Sequence, residues 1–402
     1  MKKGWQTKTI GEVCDLATGG TPSRAKPEYF GGDIKWLVSG DINQGEIFDC
    51  EGRITEAGKK NSNAKLLPIN SVMIALNGQG KTRGTVALLR THATCNQSMV
   101  CISPKPSSGL LPEFLYANLH GRYEEIRRMT SDDDKDRRGL NMGLVRSIKI
   151  PIAPLAEQQR IVGLLDEAFE DLATAKANAE KNLQNARALF ESHLHSVFTQ
   201  RGPGWLDTAL GDVCGFVRGP FGGSLKKSIF VADGYAVYEQ QHAIYNQFDD
   251  VRYFIDEAKF KEMKRFELLP ADLIMSCSGT MGRVAIVPKE IKRGIINQAL
   301  LKLTPSSKIL NTFLKSWMES EAFQDALKEY SGGAAIQNVA SVKILKEIKV
   351  ALPSMSDQNR IVEELDDLRG ETQRLARLYE RKLAALAALK KSLLHQAFSG
   401  GL

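Results

Sequence analysis

Two stretches of this chain place apolar or small residues at spacings that alternate between four and three. The first stretch covers residues 156–199, and its apolar positions are Ile161, Leu165, Ala168, Leu172, Ala175, Ala179, Ala186 and Leu189. The second repeats the pattern 200 residues later, at Ile361, Leu365, Leu368, Leu375, Tyr379, Leu386, Leu389 and Leu393. This is the a/d spacing of a coiled coil. It predicts two helices, each about 60 Å long for about 40 residues.

The partner of each predicted helix is suggested by the matching of the two patterns. A helix with one apolar stripe must bury that stripe, and the stripe nearest in length and register is on the other helix. We therefore expect an antiparallel coiled coil, with Asn182 and Lys382 as weak points at one matching position. A second interpretation is that each helix packs on its own globular region. Pro154 and Pro353 sharpen the two helix starts, because proline disfavours helix in the residue before it.

The remaining sequence alternates short apolar runs with glycine, proline and polar turns. Such runs predict short strands, here over residues 34–38, 71–76, 84–89, 272–275 and 283–287. Apolar residues at helical spacing predict a helix over residues 112–129 and another over 311–330. The expected fold class is α+β, with two pseudo-symmetric mixed α/β domains separated by two long helices. The predicted boundaries are 1–152 and 201–352 for the domains, and 153–200 and 353–402 for the helices.

The two halves are copies of one another. Gly4-Trp5 returns as Gly204-Trp205, and the sequence EQQRIV at residues 157–162 returns as DQNRIV at 357–362. Both repeats have an offset of 200 residues. A duplicated chain carries two similar but unequal versions of one function, as recognition of a two-part target requires.

Composition limits the class of protein. The 402 residues suit two globular units and carry a net charge of +7, which permits an anionic partner. The six cysteines form no C-x-x-C pair, so we expect no metal site. No apolar run reaches 18 residues, so we expect no membrane segment and a cytoplasmic chain with reduced thiols.

Three features of the sequence resemble catalytic or ligand-binding motifs but lack residues that such sites need. Residues 75–82 nearly spell a phosphate-binding loop, but Ala75 replaces its first glycine and the sister loop has no lysine. Asp272 with Glu290 and Lys292 only faintly resembles a nuclease site. His195 and His395 lie near helix ends, where histidine commonly caps carbonyls. We therefore expect no catalytic residue in this chain.

Four sequence motifs resemble those of a known family. They are PLAEQQRIV at residues 154–162, GGTPS at 19–23 with Trp36, SGTMGRVA at 278–285 and INQALL at 296–301. Together they resemble the specificity subunit of type I restriction-modification enzymes over nearly the whole chain. The start of the second helix, PSMSDQNRI at residues 353–361, departs from the usual form at 355–356 and at Asn359.

This resemblance implies a division of labour. Each globular domain would be a target-recognition domain that reads one half of a split double-stranded DNA sequence. The helices would set the spacing and bind two methyltransferase subunits, which use S-adenosylmethionine, and through them restriction/translocase subunits, which use ATP and Mg. The chain itself would hold no cofactor and do no chemistry.

Polar loop residues are the candidates for DNA contact, because paired donors and acceptors read base edges and cations hold phosphates. In the first copy they are Ser23, Arg24, Lys26, Asn77, Gln79, Lys81, Thr82, Arg83, Arg137, Arg138 and Asn141. In the second copy they are Arg218, Ser224, Lys226, Lys227, Gln240, Gln241, His242, Ser278, Thr280, Arg283, Gln337 and Asn338. The paired amides Asn96-Gln97 and Asn297-Gln298 are interpreted mainly as structural.

The matched helix starts are the candidates for partner binding, through Gln158, Arg160, Ile161, Gln358, Arg360 and Ile361. Two alternatives to the leading hypothesis stay open at this point. One is a coiled-coil adaptor that does not bind DNA. The other is a self-contained restriction or methylation enzyme, for which no catalytic motif is present.

Overall fold

The computed structural model describes residues 4–78, 80–130, 139–221, 223–329, 341–399 and 401–402. The chain divides into two compact units. Unit 1 is Met1–Ala179 with Arg381–Leu402, and unit 2 is Glu180–Glu380. In the described part of the chain, no helix is both long and apolar enough to cross a membrane.

In the described part of unit 1, ten strands form three sheets. The strands are β1 (Gln6–Thr9), β2 (Cys14–Thr18), β3 (Phe30–Leu37), β4 (Glu46–Ile47), β5 (Arg53–Ile54), β6 (Ser71–Ala75), β7 (Val86–Leu89), β8 (Thr94–Cys95), β9 (Met99–Pro104) and β10 (Lys149–Ile152). The largest sheet has the order β2-β9-β6-β7-β4, a smaller sheet has the order β5-β3-β8, and β1 pairs with β10.

Five short helices accompany these strands. They are α1 (Ile10–Val13), α2 (Glu56–Lys60), α3 (Pro112–Gly121), α4 (Tyr123–Arg128) and α5 (Met142–Ser147). Three 3-10 helices cover Pro27–Tyr29, Ser39–Gln44 and Pro106–Ser108. The first long helix, α6 (Leu155–Thr199), begins in this unit directly after β10.

The main sheet of unit 1 is buried on both faces. Along β6, Val72 and Ile74 pack into the core cluster that includes α3 and the long helices, whereas Met73 and Ala75 pack into a second cluster with Leu37. This explains why the sequence of β6 reads as a continuous apolar run rather than an alternating one.

Unit 2 repeats this plan. Its strands are β11 (Leu206–Ala209), β12 (Cys214–Arg218), β13 (Phe230–Val231), β14 (Tyr235–Tyr238), β15 (Phe254–Ile255), β16 (Leu273–Ser276), β17 (Val284–Ile286), β18 (Gly294–Ile296), β19 (Leu300–Pro305) and β20 (Lys349–Leu352). The sheets have the orders β12-β19-β16-β17, β13-β15-β14-β18 and β11-β20.

The helices of unit 2 follow a similar order, with an additional α-helix between β14 and β15. They are α7 (Leu210–Val213), α8 (Gln240–Tyr245), α9 (Glu257–Glu262), α10 (Asn311–Glu319), α11 (Glu321–Glu329) and α12 (Val342–Glu347), with 3-10 helices at Lys227–Ile229 and Lys264–Phe266. The second long helix, α13 (Met355–Ser399), follows β20.

The two long helices pair in antiparallel fashion within each unit. In unit 1, Ile161 near the start of α6 shares a core cluster with Leu394 near the end of α13. In unit 2, Leu194 near the end of α6 shares a cluster with Ile361 near the start of α13. The prediction of an antiparallel coiled coil with two mixed α/β domains is therefore confirmed. Both helices also pack on the sheets, so the second interpretation is correct in part.

The predicted apolar seam is wrong at Leu189 and Leu389, although Ala186, Leu386 and Leu393 are buried or half-buried as predicted. Leu189 and Leu389 are 51% and 48% exposed, whereas Ala186 is buried and Leu183 and Leu383 are half-buried. The spacing between inward-facing positions is four from residue 175 to 179 and four again from 179 to 183, where a regular a/d pattern would have three. Such a four-residue insertion in the heptad pattern is a stutter, which locally unwinds the supercoil. It also explains why Asn182 and Lys382 are exposed rather than at weak points of the seam.

The two predicted helices before the long ones are each broken into two. In unit 1 the break falls at Arg122, immediately after Gly121, where a Cβ would lie 3.0 Å from Cβ of Leu394. In unit 2 it falls at Ser320, whose hydroxyl donates to the carbonyl of Trp317 at 2.6 Å. Both breaks turn the following helix, α4 or α11, in a new direction.

We predict that the six cysteines react slowly with iodoacetamide in the folded protein. All six are buried and unpaired, and burial raises the pKa of Cys14, Cys95, Cys214 and Cys277 to about 12. At pH 8 the reactive thiolate form then makes up less than about 1% of each of these four side chains. Mass spectrometry should show little labelling at pH 8 until urea unfolds the chain. Rapid native labelling of Cys14 or Cys214 would contradict their burial.

Candidate nucleic-acid interface

Three loops leave the main sheet of unit 1 at the same end of its strands. Thr18 at the end of β2 pairs with Val100, and Ala75 at the end of β6 pairs with Met99. The segments that follow or precede these pairs are residues 19–26, 76–85 and 96–98. We call them the loop end of unit 1. A rigid antiparallel sheet therefore holds together three segments that are far apart in sequence.

Residues 19–26 are fixed by close backbone contacts. A Cβ at Gly19 would lie 1.7 Å from the carbonyl oxygen of Cys95, so only glycine is accommodated there. The Gly20 amide donates to the same oxygen at 2.9 Å, and the Trp36 indole donates to the Gly20 carbonyl at 3.0 Å. This gives the GGTPS motif and Trp36 a shared structural role: they seat the loop against β8.

The hairpin loop 76–85 is held from outside by helix α4. Tyr123 donates its hydroxyl to the Lys81 carbonyl at 2.9 Å, and Arg127 donates to the Gly80 carbonyl at 2.5 Å. The Leu140 amide donates to the Leu76 carbonyl at 3.0 Å, which brings residues 139–141, at the end of the stretch that contains Arg137 and Arg138, beside the hairpin. The loop joins two antiparallel strands, unlike a phosphate-binding loop, which opens a helix.

The predicted DNA residues of unit 1 differ in accessibility. Ser23, Arg24, Lys26, Asn77 and Lys81 are exposed at the loop end, and Thr82 and Arg83 are half-buried. The buried Nε of Arg83 has no hydrogen-bond partner among the described residues. The side chain of Asn141 caps α5 by accepting from the Leu144 amide at 2.9 Å, so it has a structural role. Gln79, Arg137 and Arg138 lie outside the described residues.

Unit 2 has a matching loop end, formed by residues 219–227, 277–283 and 297–299. Arg218 pairs with Leu301, and Ser276 with Leu300, at the corresponding ends of the strands. A Cβ at Gly219 would lie 1.8 Å from the carbonyl oxygen of Asn297, so a backbone carbonyl excludes a side chain here as Cys95 does at Gly19, although Asn297 is the counterpart of Asn96. The two units thus present equivalent loops on equivalent frames.

The hairpin of unit 2 is organised by a serine that the first copy lacks. Ser276 donates its hydroxyl to the Thr280 carbonyl at 2.6 Å and accepts from the Arg283 amide at 3.0 Å. Gln324 on α11 donates to the Gly282 carbonyl at 3.1 Å. Helix α11 therefore holds this hairpin as α4 holds the first.

Most predicted DNA residues of unit 2 are accessible, with one correction. Ser224, Lys226, Lys227, Thr280 and Arg283 are exposed, and Arg218, Gln240, Gln241 and Ser278 are half-buried. His242 is 1% exposed; its Nε2 lies 3.0 Å from the Asp250 carbonyl oxygen and its Nδ1 bonds the backbone of Glu239. The prediction that His242 faces DNA is therefore wrong in this structure, because the ring closes the turn of α8. Gln337 and Asn338 lie outside the described residues.

Two functional features were missed from the sequence. The polar run at the start of α8 has a counterpart in unit 1, the 3-10 helix Ser39–Gln44. The strand before each of these helices accepts a hydrogen bond from the backbone amide of Asn96 or Asn297. The bond from the Asn96 amide goes to Leu37 and that from Asn297 to Tyr238. An offset of 201 rather than 200 residues would have revealed the match. The supporting side chains Tyr123, Arg127 and Gln324 gave no pattern that could identify them.

In each of the pairs Asn96-Gln97 and Asn297-Gln298, the asparagine has a structural role. Asn96 accepts from the Ser98 amide at 3.0 Å, and Asn297 accepts from the Ala299 amide at 3.0 Å. They are half-buried turn residues rather than fully buried ties between strands. Gln97 and Gln298 are exposed, and Gln97 accepts from the hydroxyl of Thr21 at 2.7 Å.

The predicted partner-binding residues are mostly internal. Gln158 and Gln358 are 0% exposed, and Ile161 and Ile361 are buried in the cores. Of the six, only Arg160 and Arg360 are exposed. Arg160 pairs with Glu157 at 2.8 Å on its own helix. The prediction that these helix starts bind a partner stays a prediction, with the two arginines as the side chains available for direct contact.

Gln158 is predicted to be essential for the stability of unit 1. Its amide accepts from Leu111 N at 2.9 Å and donates to the carbonyls of Gly109 and Ala153 at 2.8 Å each. Gln158→Ala leaves these buried groups unpaired, which should cost about 2–3 kcal/mol of unfolding free energy. Urea unfolding followed by tryptophan fluorescence measures the loss.

The matched control for that substitution is Arg160→Ala, two residues further along. Its ion pair with Glu157 is on the surface, so the unfolding free energy should change by about 0.5 kcal/mol or less. Gln358→Ala should reproduce the large effect in unit 2, since Gln358 bonds Leu310 N, Lys308 O and Pro353 O in the same way. If Gln158→Ala and Gln358→Ala both changed the free energy of unfolding only slightly, these buried hydrogen bonds would not be essential for stability.

The residues considered for chemistry are explained by structural contacts. His195 Nδ1 lies 2.8 Å from a carboxylate oxygen of Glu321, so it pairs with α11 instead of capping its helix. Asp272 is 3% exposed and accepts from the hydroxyl of Thr304 at 2.6 Å. Lys292 pairs with Asp233 rather than with Asp272. Among the described residues, no group of three or more His, Cys, Asp or Glu could hold a metal ion.

Charge at the two loop ends is positive and accessible. The phenol of Tyr29 accepts a hydrogen bond from Lys26 Nζ and raises the pKa of that ammonium group, which keeps it charged at neutral pH. In unit 2, Lys226 and Lys227 have no ion-pair partner among the residues that the structure describes. Cations with free donors are the groups that hold phosphate oxygens.

Comparison with known proteins places this architecture in one family. The model of the type I restriction modification DNA specificity domain matches residues 2–182 and again 204–380. The specificity subunit of the type I restriction enzyme EcoR124I/EcoR124II from Escherichia coli is 32% identical over 170 residues, 42% of this chain and 41% of that one. The EcoBI specificity subunit, also from Escherichia coli, is 24% identical over 314 residues, 72% and 65% of the two chains.

Solved structures share the fold over the full length. A chain from a study of complex assembly and conformational transition of the type I R-M system has a TM-score of 0.78 at 20% identity and covers 100% of this chain and 99% of its own. The HsdS subunit from Thermoanaerobacter tengcongensis has a TM-score of 0.69 at 20% identity, with coverage of 100% and 98%. In contrast, this chain spans only 41% of the length of the first curated relative.

Proposed function

This chain belongs to the family of type I restriction-modification DNA specificity subunits, and we propose that each of its units reads one half of a two-part DNA target. The family membership confirms the resemblance noted in the sequence. The observation that carries the proposal is the pair of loop ends: equivalent strand ends, with a glycine packed against a backbone carbonyl in each, present different side chains in the two units.

The loops differ where sequence reading requires a difference. Eleven residues (75–85) separate the paired ends of β6 and β7, but only eight (276–283) separate those of β16 and β17. The exposed positions include Asn77 and Lys81 in one hairpin, and Thr280 and Arg283 in the other. Amide and guanidinium groups suit adenine and guanine respectively. Two units with unequal donors would select two unequal half-sites.

The lysines near the first loop of each unit would hold the DNA backbone. Lys26 in unit 1 and Lys226 with Lys227 in unit 2 are exposed at corresponding places. Phosphate contacts fix the register of the protein on the duplex without selecting bases. They also make affinity fall with salt, because binding releases counterions from the DNA.

The partners are proposed to be two methyltransferase subunits, one at the start of each long helix, and restriction/translocase subunits bound through them. The support is the repetition of the helix start, which leaves Arg160 and Arg360 exposed in both copies, with the apolar side chains of Leu155 and Met355 50% and 40% exposed in the first turn. S-adenosylmethionine, ATP and Mg would be bound by those partners, and the assembly would act on DNA in the cytoplasm. This chain would contribute recognition alone.

The test is to express the chain with the methyltransferase encoded beside its gene and to map N6-methyladenine in the host genome. The expected result is one two-part motif with an unread spacer, and a complex whose mass corresponds to two methyltransferases per chain. A complex that forms but methylates without sequence preference would support the adaptor alternative. Methylation by the isolated chain would support the self-contained enzyme.

A further inference from the structure

One apolar side chain stands out at the loop end of unit 2. Phe221 is 88% exposed, which is more than any other large hydrophobic side chain in the described part of the chain. A phenyl ring exposed to water does not gain the free energy that burial of its apolar surface would provide. Aromatic side chains of this size bury about 150–250 Å² when they are covered. Phe221 is therefore a candidate for contact with a partner.

The position of Phe221 is set by its neighbours on both sides. The Gly219 amide donates to the Leu300 carbonyl at 2.9 Å, and the Asn297 backbone leaves no room for a side chain at Gly219. Pro220 is buried, and the Ser224 amide closes a turn by donating to the Phe221 carbonyl at 2.9 Å. The ring thus projects from a turn whose base is fixed to the sheet.

The charges around this turn match a polyanion. Lys226 and Lys227 follow it and are exposed, and Arg218 precedes it. Acidic side chains are lacking in the segment 218–227. An apolar ring between cations is suited to a duplex, whose base stack is apolar and whose flanking phosphates are anionic. It is less suited to a protein surface, where the cations would need matching carboxylates.

We propose that Phe221 inserts into the base stack of the second half-site as a wedge, while Lys226 and Lys227 hold the adjacent phosphates. This deepens the proposed function and rests on it. Apolar wedges partly unstack one base step and kink the duplex. Pyrimidine–purine steps deform most easily, so the wedge selects a flexible step without any hydrogen bond to a base.

Unit 1 provides a built-in comparison. The residue that corresponds to Phe221 is Thr21, two positions after the glycine that seats the loop. Its hydroxyl donates to Gln97 at 2.7 Å, so it is tied back to the protein and has no ring to insert. The two half-sites are therefore read unequally: the second by deformation and hydrogen bonds, and the first without a wedge.

The experiment uses the complete complex with its methyltransferases and a duplex of the motif found by methylation mapping. A 2-aminopurine base is placed at successive positions of each half-site. Binding should raise its fluorescence at one step of the second half-site and at no step of the first. Phe221→Ala should abolish that rise and weaken binding about tenfold or more, since stacking on an aromatic ring contributes roughly that much per base.

Three variants serve as controls. Lys226→Ala should weaken binding and reduce its salt dependence, but at saturation the fluorescence rise should remain. Phe221→Leu, which keeps an apolar wedge, should retain part of the rise. Thr21→Ala should leave the second half-site unchanged.

Several outcomes would overturn the wedge. One is a Phe221→Ala complex that binds and distorts the duplex as the wild type does. Another is a variant that assembles poorly with the methyltransferase but binds DNA normally, which would assign Phe221 to a protein interface. In both of these outcomes the complex would still bind its mapped motif in preference to other DNA. Failure of the proposed function itself would appear differently, as a wild-type complex without preference for the mapped motif.

Discussion

Lengthening both long helices by four residues is expected to lengthen the unread spacer of the DNA target by one or two base pairs. Each helix begins in one compact unit and ends in the other. Four residues add about 6 Å to a helix, and one base pair spans about 3.4 Å. The half-sites should stay the same, because no loop end is altered. Methylation mapping of the variant reads both the half-sites and the spacer.

The antiparallel contacts specify where the insertions belong. Phe169 lies under the ammonium group of Lys390 in unit 1, and Phe190 lies under the guanidinium group of Arg369 in unit 2. Both pairs place residue 175 of α6 opposite residue 384 of α13. Insertion after Ala175 and after Leu383 therefore preserves both sets of pairs. Four residues are close to one helical turn, so the apolar faces stay nearly aligned.

Insertion into one helix alone is the matched control. It shifts one helix by a turn relative to the other in one of the units, so the variant should lose stability rather than gain a longer spacer. An active double variant that keeps the original spacer would show that the helices do not set the distance between half-sites.

Replacing Lys81 and Arg83 together by alanine is expected to weaken binding of the complex to its DNA roughly thirtyfold at about 0.15 M salt. The slope of log affinity against log salt is about −0.9 for each phosphate contact, so loss of the pair should make the slope less negative by about 1.8. Lys81 is exposed on the hairpin of unit 1. Fluorescence anisotropy over a series of salt concentrations measures both quantities.

The control for this variant is Lys149→Ala. Lys149 is exposed on β10, in the two-stranded sheet rather than at the loop end, so DNA affinity should hardly change. Lys81→Ala alone should give about half the change in slope. Because Arg83 is half-buried, the thermal stability of the double variant is measured as well. If the double variant folded normally and its affinity for DNA were unchanged, the hairpin loop 76–85 would not contact DNA.

The repeat and the long helices could be predicted from the sequence because they depend on local periodicity. An apolar stripe recurring every 3.5 residues specifies a helix whatever surrounds it, and two equal stripes specify a pair. The strands around residues 71–76 and 272–275 were found for the same reason. The seam was misplaced at Leu189 and Leu389, since an a/d pattern assumes a constant period and the packed helices contain a stutter.

The site was only partly predictable, because burial decides what a polar residue does. In the sequence, Gln158 belongs to the repeated helix start and His242 to a run of polar residues, and both were predicted to contact a partner or DNA. Gln158 is a buried clamp of three backbone groups, and His242 closes a turn. No local pattern distinguishes these roles from exposure to a partner. The sequence also gives no reason to connect Arg127 with Gly80, which are 47 residues apart and meet at 2.5 Å.

The sequence by itself determined the duplication, the two long helices and the first two loop segments of each copy, because each follows from spacing along the chain. Only the tertiary structure decided that those segments meet at one end of each sheet, and which of their side chains reach solvent. The physical reason is that antiparallel pairing joins the ends of β2, β6 and β9 through hydrogen bonds between distant residues. Such contacts depend on strand register and packing across the whole unit, which the spacing of residues along the chain does not contain.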